Sequence, residues 1–88
     1  MTIWKFSLQI GDTVLNLRDG YRILSLQMQN DVPTIWVLLD PDRPMTATKI
    51  ICRGTGHHFN EREMGEYIGS VVTQGDAFVW HSFNLGEL

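Results

Sequence analysis

TIWVLL, residues 34–39, is a continuous apolar run between two segments that are rich in turn-forming residues. A strand that is covered on both faces has this pattern, because neither face needs polar side chains. On the N-terminal side of the run, Asn30–Pro33 supplies a turn. On the C-terminal side, Asp40–Pro44 contains two prolines, which lack the amide donor and restrict the residues before them, so this segment is a surface loop. We therefore expect residues 34–39 to form the most buried strand.

Regular alternation of apolar and polar residues predicts half-buried strands before this run. The apolar faces consist of Trp4, Phe6, Leu8 and Ile10 within residues 3–10 and of Leu24, Leu26 and Met28 within residues 21–29. Between them, residues 13–17 form a shorter strand that is followed by the tight-turn dipeptide Asp19-Gly20. The two longer strands therefore each have one face toward a core and one toward water.

Three further strands are predicted after the proline-containing loop. Residues 45–53 are rich in β-branched side chains and end at Gly54-Thr55-Gly56. Residues 67–74 and 77–84 form two strands that the dipeptide Gly75-Asp76 joins as a two-residue hairpin. The C-terminal half of the chain is thus as rich in strands as the N-terminal half.

Only one helical turn is predicted, at residues 60–66, where Asn60 is the cap and acidic residues occupy the first turn. About seven short strands with at most one helical turn predict an all-β fold, a small antiparallel β-sandwich or barrel-like roll. A chain of 88 residues is too short to close a second core. Residues 1–88 are therefore expected to form a single domain.

Charge and hydropathy argue against two classes of protein. The formal net charge is -3 and the 7 basic residues are scattered, whereas a general nucleic-acid binder carries a basic stripe. No segment approaches the roughly 20 apolar residues of a membrane span. Residues 1–12 also lack the basic start and the long apolar core of a signal peptide. The sequence therefore predicts a cytoplasmic protein without general nucleic-acid binding and without membrane contacts.

The stretch CRGTGHHFN, residues 52–60, combines glycines with side chains that can bind an anion. Gly54 and Gly56 allow positive φ and leave backbone amides unshielded, so this loop can form an anion-binding nest. An aromatic ring on a nearby strand would stack on a nucleotide-like ligand. The candidate ligand-binding residues are Arg53, Thr55, His57, His58, Tyr67 and Trp80. The same glycines are also typical of a bulge or a turn that ends a strand, and this alternative stays open.

No residue pattern identifies a catalytic or metal site. Cys52 follows Ile50-Ile51, and a free cysteine in an apolar segment is typically a small core residue rather than a nucleophile. Side chains that can bind a metal are present, but no spacing such as CxxC or HExxH brings them together. These side chains are Cys52, His57, His58, His81, Glu61 and Glu63. We therefore expect no catalytic residue, no metal and no cofactor.

The last predicted strand has apolar side chains on both faces. Phe78 and Trp80 point to one side, whereas Val79, His81 and Phe83 point to the other. A domain of this size has more apolar area than one small core can bury. We therefore expect a homo-oligomer or an interface with another partner.

Several blocks along the chain together carry a resemblance to a known family. The blocks are IWKF at 3–6, ILSLQ at 23–27 with Pro33 and Trp36 beyond it, VLLDP at 37–41, GTGH at 54–57, YIG at 67–69 and WH at 80–81. With this pattern the chain resembles a family of short, largely uncharacterised proteins that phages and prophages encode.

The resemblance implies a small cytosolic protein of an infected or lysogenic bacterium. Proteins of this kind commonly inhibit host defence, so it implies a binding protein that counteracts a host defence component. Such a protein would bind a host protein or sequester a small anionic, nucleotide-like ligand. Two alternatives stay open: a small hydrolase that uses His57, His58 or His81 as an acid–base group or metal ligand, and a structural or assembly component of a phage.

Overall fold

The computed structural model describes residues 1–88 and contains seven β-strands and one short 3-10 helix. The strands are β1 (Thr2–Ser7), β2 (Asp12–Arg18), β3 (Arg22–Gln29), β4 (Val32–Leu39), β5 (Met45–Gly54), β6 (Glu66–Thr73) and β7 (Phe78–Glu87), and the helix spans Glu61–Glu63. They form two antiparallel sheets, with the strand orders β1-β4-β3 and β2-β5-β7-β6. The predicted all-β sandwich is confirmed.

The two sheets meet on one side of the sandwich and are open on the other. β3 of the first sheet packs against β6 of the second sheet, so these two edges cover each other. β1 and β2 are the remaining terminal strands of the two sheets. The Cα atoms span 40 × 30 × 15 Å, and the short dimension fits two sheets that pack about 10 Å apart.

The core lies between the central strands of the two sheets. Ile35, Val37 and Leu39 of β4 are fully buried and belong to the same cluster as Ile50 and Cys52 of β5. The predicted core position of the cysteine is therefore confirmed. β4 is also a central strand, as the uninterrupted apolar run predicts.

A bulge in β3 changes which of its side chains face the core. Ile23 pairs with Val37, and the register then shifts so that Ser25 rather than Leu24 pairs with Trp36. Leu24 is 45% exposed, whereas Ile23 packs against the core cluster. The predicted inward position of Leu24 is wrong, because one extra residue in the strand reverses the alternation.

Two turns differ from the sequence-based prediction. The β3–β4 turn consists only of Asn30 and Asp31, which have φ values of 50° and 63°, so Pro33 belongs to β4. Its carbonyl accepts a hydrogen bond from the Leu8 amide beyond the end of β1, where the missing proline N–H interrupts no ladder. The β6–β7 loop contains four residues, 74–77, because Thr73 pairs with Phe78; the predicted two-residue hairpin is therefore wrong.

Candidate functional site

Residues 55–65, called the cover segment below, lie over the outer face of the second sheet. The Phe59 ring is 5.7 Å from the Phe83 ring, and the Glu63 carboxylate accepts a hydrogen bond from the Arg53 guanidinium at 2.6 Å. Ile51 alternates with the core residue Ile50 and points to this outer face, yet it is fully buried. The second half of the CRGTGHHFN stretch therefore packs on the sheet as a covering layer.

Local hydrogen bonds fix the path of the cover segment. Asn60 Oδ1 accepts a hydrogen bond from the Arg62 amide at 2.9 Å, and Glu63 Oε1 accepts one from the Asn60 amide at 3.3 Å. This reciprocal arrangement is a capping box, and it starts the 3-10 helix at the cap that the sequence predicts. Gly65 then passes so close to the Asn84 backbone that a side chain has no room.

Arg53 is bound on both sides by carboxylates. Its Nη1 lies 3.0 Å from Asp12 Oδ1, and its Nη2 lies 2.6 Å from Glu63 Oε2. The hydrogen bond from Arg53 holds the pKa of Asp12 below its usual value, and Lys49, at 3.4 Å, adds to this effect. An incoming anion would therefore compete with two carboxylates for the positive charge of Arg53.

A row of three polar side chains lies beside Arg53 on the same face. Thr55 Oγ1 is 2.8 Å from His81 Nε2, and the Tyr67 hydroxyl is 3.0 Å from His81 Nδ1. Both ring nitrogens of His81 therefore have partners within the chain. The amides of Thr55 and His57 also donate within the chain, to the carbonyls of Val79 and Gly54, so neither is free for an anion.

His57 packs at the end of the second sheet, beside Trp80. Its ring meets the Trp80 ring edge-on, with the centroids 5.6 Å apart. A Cβ atom at Gly54 would lie 2.7 Å from this ring, so the glycine makes room for the histidine. His58 is exposed, and its side chain makes no hydrogen bond within the chain.

Five of the six candidate residues separate into two groups. Arg53, Thr55 and Tyr67 share the outer face with His81, whereas His57 and Trp80 lie at the end of the sheet. The sixth, His58, is exposed and belongs to neither group. Thr55, His57 and Trp80 line a cavity of about 310 Å³, but Arg53, His58 and Tyr67 do not line it, so the six do not share one site. The distribution follows from strand alternation, because Trp80 and His81 are consecutive residues on opposite faces of β7.

A cleft of about 870 Å³ opens beside Trp80, between the β3–β4 turn and the β6–β7 loop. Its apolar lining includes Ile10, Met28, Pro33, Val72, Phe78 and Trp80. The Trp80 indole N–H donates to Thr73 Oγ1 at 3.0 Å, which fixes the orientation of the ring. Ile10 and Phe78 are 47% and 46% exposed, so the walls of the cleft are open to solvent. The alternation of the sequence predicts Phe78 and Trp80 on one face of the last strand. It does not predict that Ile10 and Met28 lie next to them in the cleft.

The cysteine and the metal-ligand candidates do not form a reactive centre. Cys52 is buried with its Sγ 3.1 Å from Ser82 Oγ, and burial raises the pKa of the thiol above its usual value. The thiol is therefore protonated at neutral pH. No three side chains of His, Cys, Asp or Glu converge where they could bind a metal ion. No helix of the chain is long and apolar enough to cross a membrane.

Fold and contacts define a small β-sandwich domain with one partly covered outer face and an apolar cleft at one end. The chain belongs to the family of the domain of unknown function DUF7352, whose family model matches residues 1–87. Searches of the curated proteins and of the solved structures each returned no significant match. The family therefore covers nearly the whole chain but assigns no activity to it.

Proposed function

We propose that the chain is a binding protein that holds an apolar side chain of a partner protein in the cleft beside Trp80. The observation that carries this proposal is the cleft itself, in which the rigidly held Trp80 ring lies next to the half-exposed Phe78 and Ile10. Binding of a partner that covers water-exposed apolar side chains on a concave surface is favourable, because it removes apolar area from water. Aromatic side chains in such a place supply much of the binding energy of protein interfaces.

Charge near the cleft defines the chemistry of the partner. Asp31 is the only charged residue in the lining, and Asp76 lies in the adjoining β6–β7 loop. The chain as a whole has a formal net charge of -3. A partner segment that places Lys or Arg beside the inserted apolar side chain therefore complements this site, whereas an acidic segment is repelled.

The contacts on the outer face give less support to the alternative in which the protein binds a small anionic ligand. Arg53 already pairs with Asp12 and Glu63, and His81 uses both ring nitrogens within the chain. An anion there meets a guanidinium whose charge two carboxylates already balance. We therefore base the proposal on a protein partner.

Unlabelled tripeptides titrated into ¹⁵N-labelled protein test the cleft directly. Trp4, Trp36 and Trp80 provide separate indole N–H signals, so two of them serve as internal controls. We expect the acetylated amide Lys-Leu-Lys to shift the Trp80 signal with a dissociation constant of about 6–35 mM, since burial of one apolar side chain contributes about 2–3 kcal/mol. Glu-Leu-Glu and Lys-Ala-Lys should cause much smaller shifts.

Matched variants separate the apolar and the charged contributions. Phe78→Ser should abolish the Lys-Leu-Lys shift, and Asp31→Asn should reduce the preference for the basic peptide. Val14→Ser is the control, because Val14 is a comparably exposed apolar residue at the far edge of the second sheet. A Trp80 signal that does not respond to any of the three peptides would contradict the proposal.

We further propose that the partner is a component of a host defence system, which the protein inhibits by occupying its surface. The support for this step is the resemblance to short phage and prophage proteins. Expression of the chain in bacteria that carry a panel of defence systems should raise phage plating at least tenfold for the inhibited system. The Phe78→Ser variant should not raise phage plating, whereas the Val14→Ser variant should raise it as the wild type does. An unchanged plating efficiency across the panel would contradict the inhibition of host defence. The proposal of a protein-binding cleft would then be judged by the peptide titration alone.

A further inference from the structure

The free edge of β1 is the least protected strand edge of the molecule. β1 is a terminal strand, and no residue of Thr2–Ser7 makes a backbone hydrogen bond outside the ladder. No register shift interrupts its pairing with β4, and it contains no proline. The other open edge, β2, begins with Asp12 and ends with Arg18, and charged residues of this kind oppose strand addition.

The hydrogen bonding of Leu8 shows which β1 groups face this edge. The Leu8 amide donates to the Pro33 carbonyl of β4 at 2.8 Å, so the backbone of Leu8 is directed toward β4. Backbone direction alternates along a strand, and the pairing of β1 with β4 is regular over its whole length. The N–H and C=O groups of Ile3, Lys5 and Ser7 are therefore directed away from β4, toward the free edge.

We propose that two copies of the chain associate through their β1 edges. The strands pair in an antiparallel, two-fold symmetric arrangement that joins the two three-stranded sheets into one sheet of six strands. Ile3 of each copy pairs with Lys5 of the other, and Trp4 lies opposite Trp4 at the two-fold axis. This interface is separate from the cleft beside Trp80, so the inference does not rest on the proposed function.

Side chains along β1 favour a second copy as the occupant. Ile3 and Trp4 are 54% and 42% exposed, and the pairing covers both. Opposed aromatic rings in a non-hydrogen-bonded pair are favourable cross-strand contacts. A lysine at a sheet edge can oppose strand addition. The Lys5 ammonium instead donates to Gln29 Oε1 of β3 at 2.6 Å, on the other side of β4, and is thus directed away from the edge.

Charge and overlap select the register of the pairing. One neighbouring symmetric register would place Lys5 opposite Lys5, and like charges in directly opposed positions are destabilising. The other would centre on Ile3 and pair only residues 2–4 of each β1 strand. The register with Trp4 on the axis places each Lys5 opposite the uncharged Ile3. Ile3 and Lys5 then form ladder hydrogen bonds in each copy.

Sedimentation equilibrium of the full chain tests this dimer. Edge-to-edge interfaces are small, so we expect the mass to rise from 10.1 kDa toward twice that value between about 10 μM and 1 mM. Lys5→Pro removes an amide that only the dimer uses, and association should weaken at least about tenfold. Lys5→Ala keeps the amide and should associate like the wild type.

A second variant and a spectroscopic signal complete the test. Ile3→Pro removes a second outward amide, near the start of the strand, and should also weaken association if Lys5→Pro fails to fold. In wild-type protein the Trp4 indole signal should move with concentration, whereas those of Trp36 and Trp80 should not. A mass that stays at 10.1 kDa up to 1 mM, wild-type association in the proline variants, or loss of association in Lys5→Ala would each overturn the proposal.

Discussion

Gly65→Ala is expected to lower the free energy of unfolding by about 3 kcal/mol. A Cβ atom at this position would overlap the Asn84 carbonyl and lie 2.6 Å from its carbon atom. Neither atom can move alone, because Asn84 is in the middle of β7 and pairs with both β5 and β6. The cover segment would therefore have to lift from the sheet where β6 begins. Since domains of this size are stable by only about 5–10 kcal/mol, the loss is a large fraction of the total.

Gly54→Ala is the matched control for this prediction. Its Cβ would also make a close contact, 2.7 Å from the His57 ring, but that ring belongs to an exposed side chain that can rotate away. We expect a loss below about 1 kcal/mol, together with a change in the Trp80 environment. Urea unfolding of the two variants under identical conditions makes the comparison. Equal losses would show that the cover segment is not held against Asn84.

The strands could be predicted from the sequence because each carries its own pattern. Alternation around Phe6 and Leu26 and the apolar run at 34–39 depend only on which faces are buried, and local residues encode that. The bulge at Leu24 was missed, because an extra residue becomes visible only when the partner strand supplies the register. The length of the β6–β7 loop was missed for the same reason, since Thr73–Phe78 pairing decides it.

The candidate site was less accessible, because its contacts join residues that are far apart in the chain. Arg53 was recognised as a binding group, but its partner Asp12 lies 41 positions away and nothing local to either residue predicts the pair. The cleft has the same origin, since Ile10 comes from the β1–β2 connection, Met28 from the end of β3 and Phe78 from the start of β7. One signal for the cover segment was present: Ile50-Ile51-Cys52 breaks the alternation of β5, which indicates that both faces of this strand are covered.

Ile51→Ala is expected to lower the free energy of unfolding by about 3 kcal/mol, although the side chain points away from the core between the sheets. In a sandwich with a bare outer face, this residue would be exposed and its truncation would have almost no effect. Here Ile51 is fully buried, with Phe83 beside it on β7 and the cover segment above. Truncation leaves a cavity under that segment, and the cavity adds to the lost burial of the side chain. Chemical denaturation measures the loss, and proteolysis within residues 55–65 should become faster.

Val14→Ala is the control for Ile51→Ala, because it truncates a side chain on the same outer face that the cover segment does not bury. Val14 lies on the same outer face, on the adjacent strand β2, but it is 56% exposed and the cover segment does not bury it. Its truncation should change stability by less than about 0.5 kcal/mol. A large difference between the two variants requires that residues 55–65 act as a third layer of the fold, which also holds Glu63 against Arg53. A loss below about 1 kcal/mol in Ile51→Ala would instead mean that this layer is loosely packed, and the outer face would then be open to a ligand at Arg53 and His81.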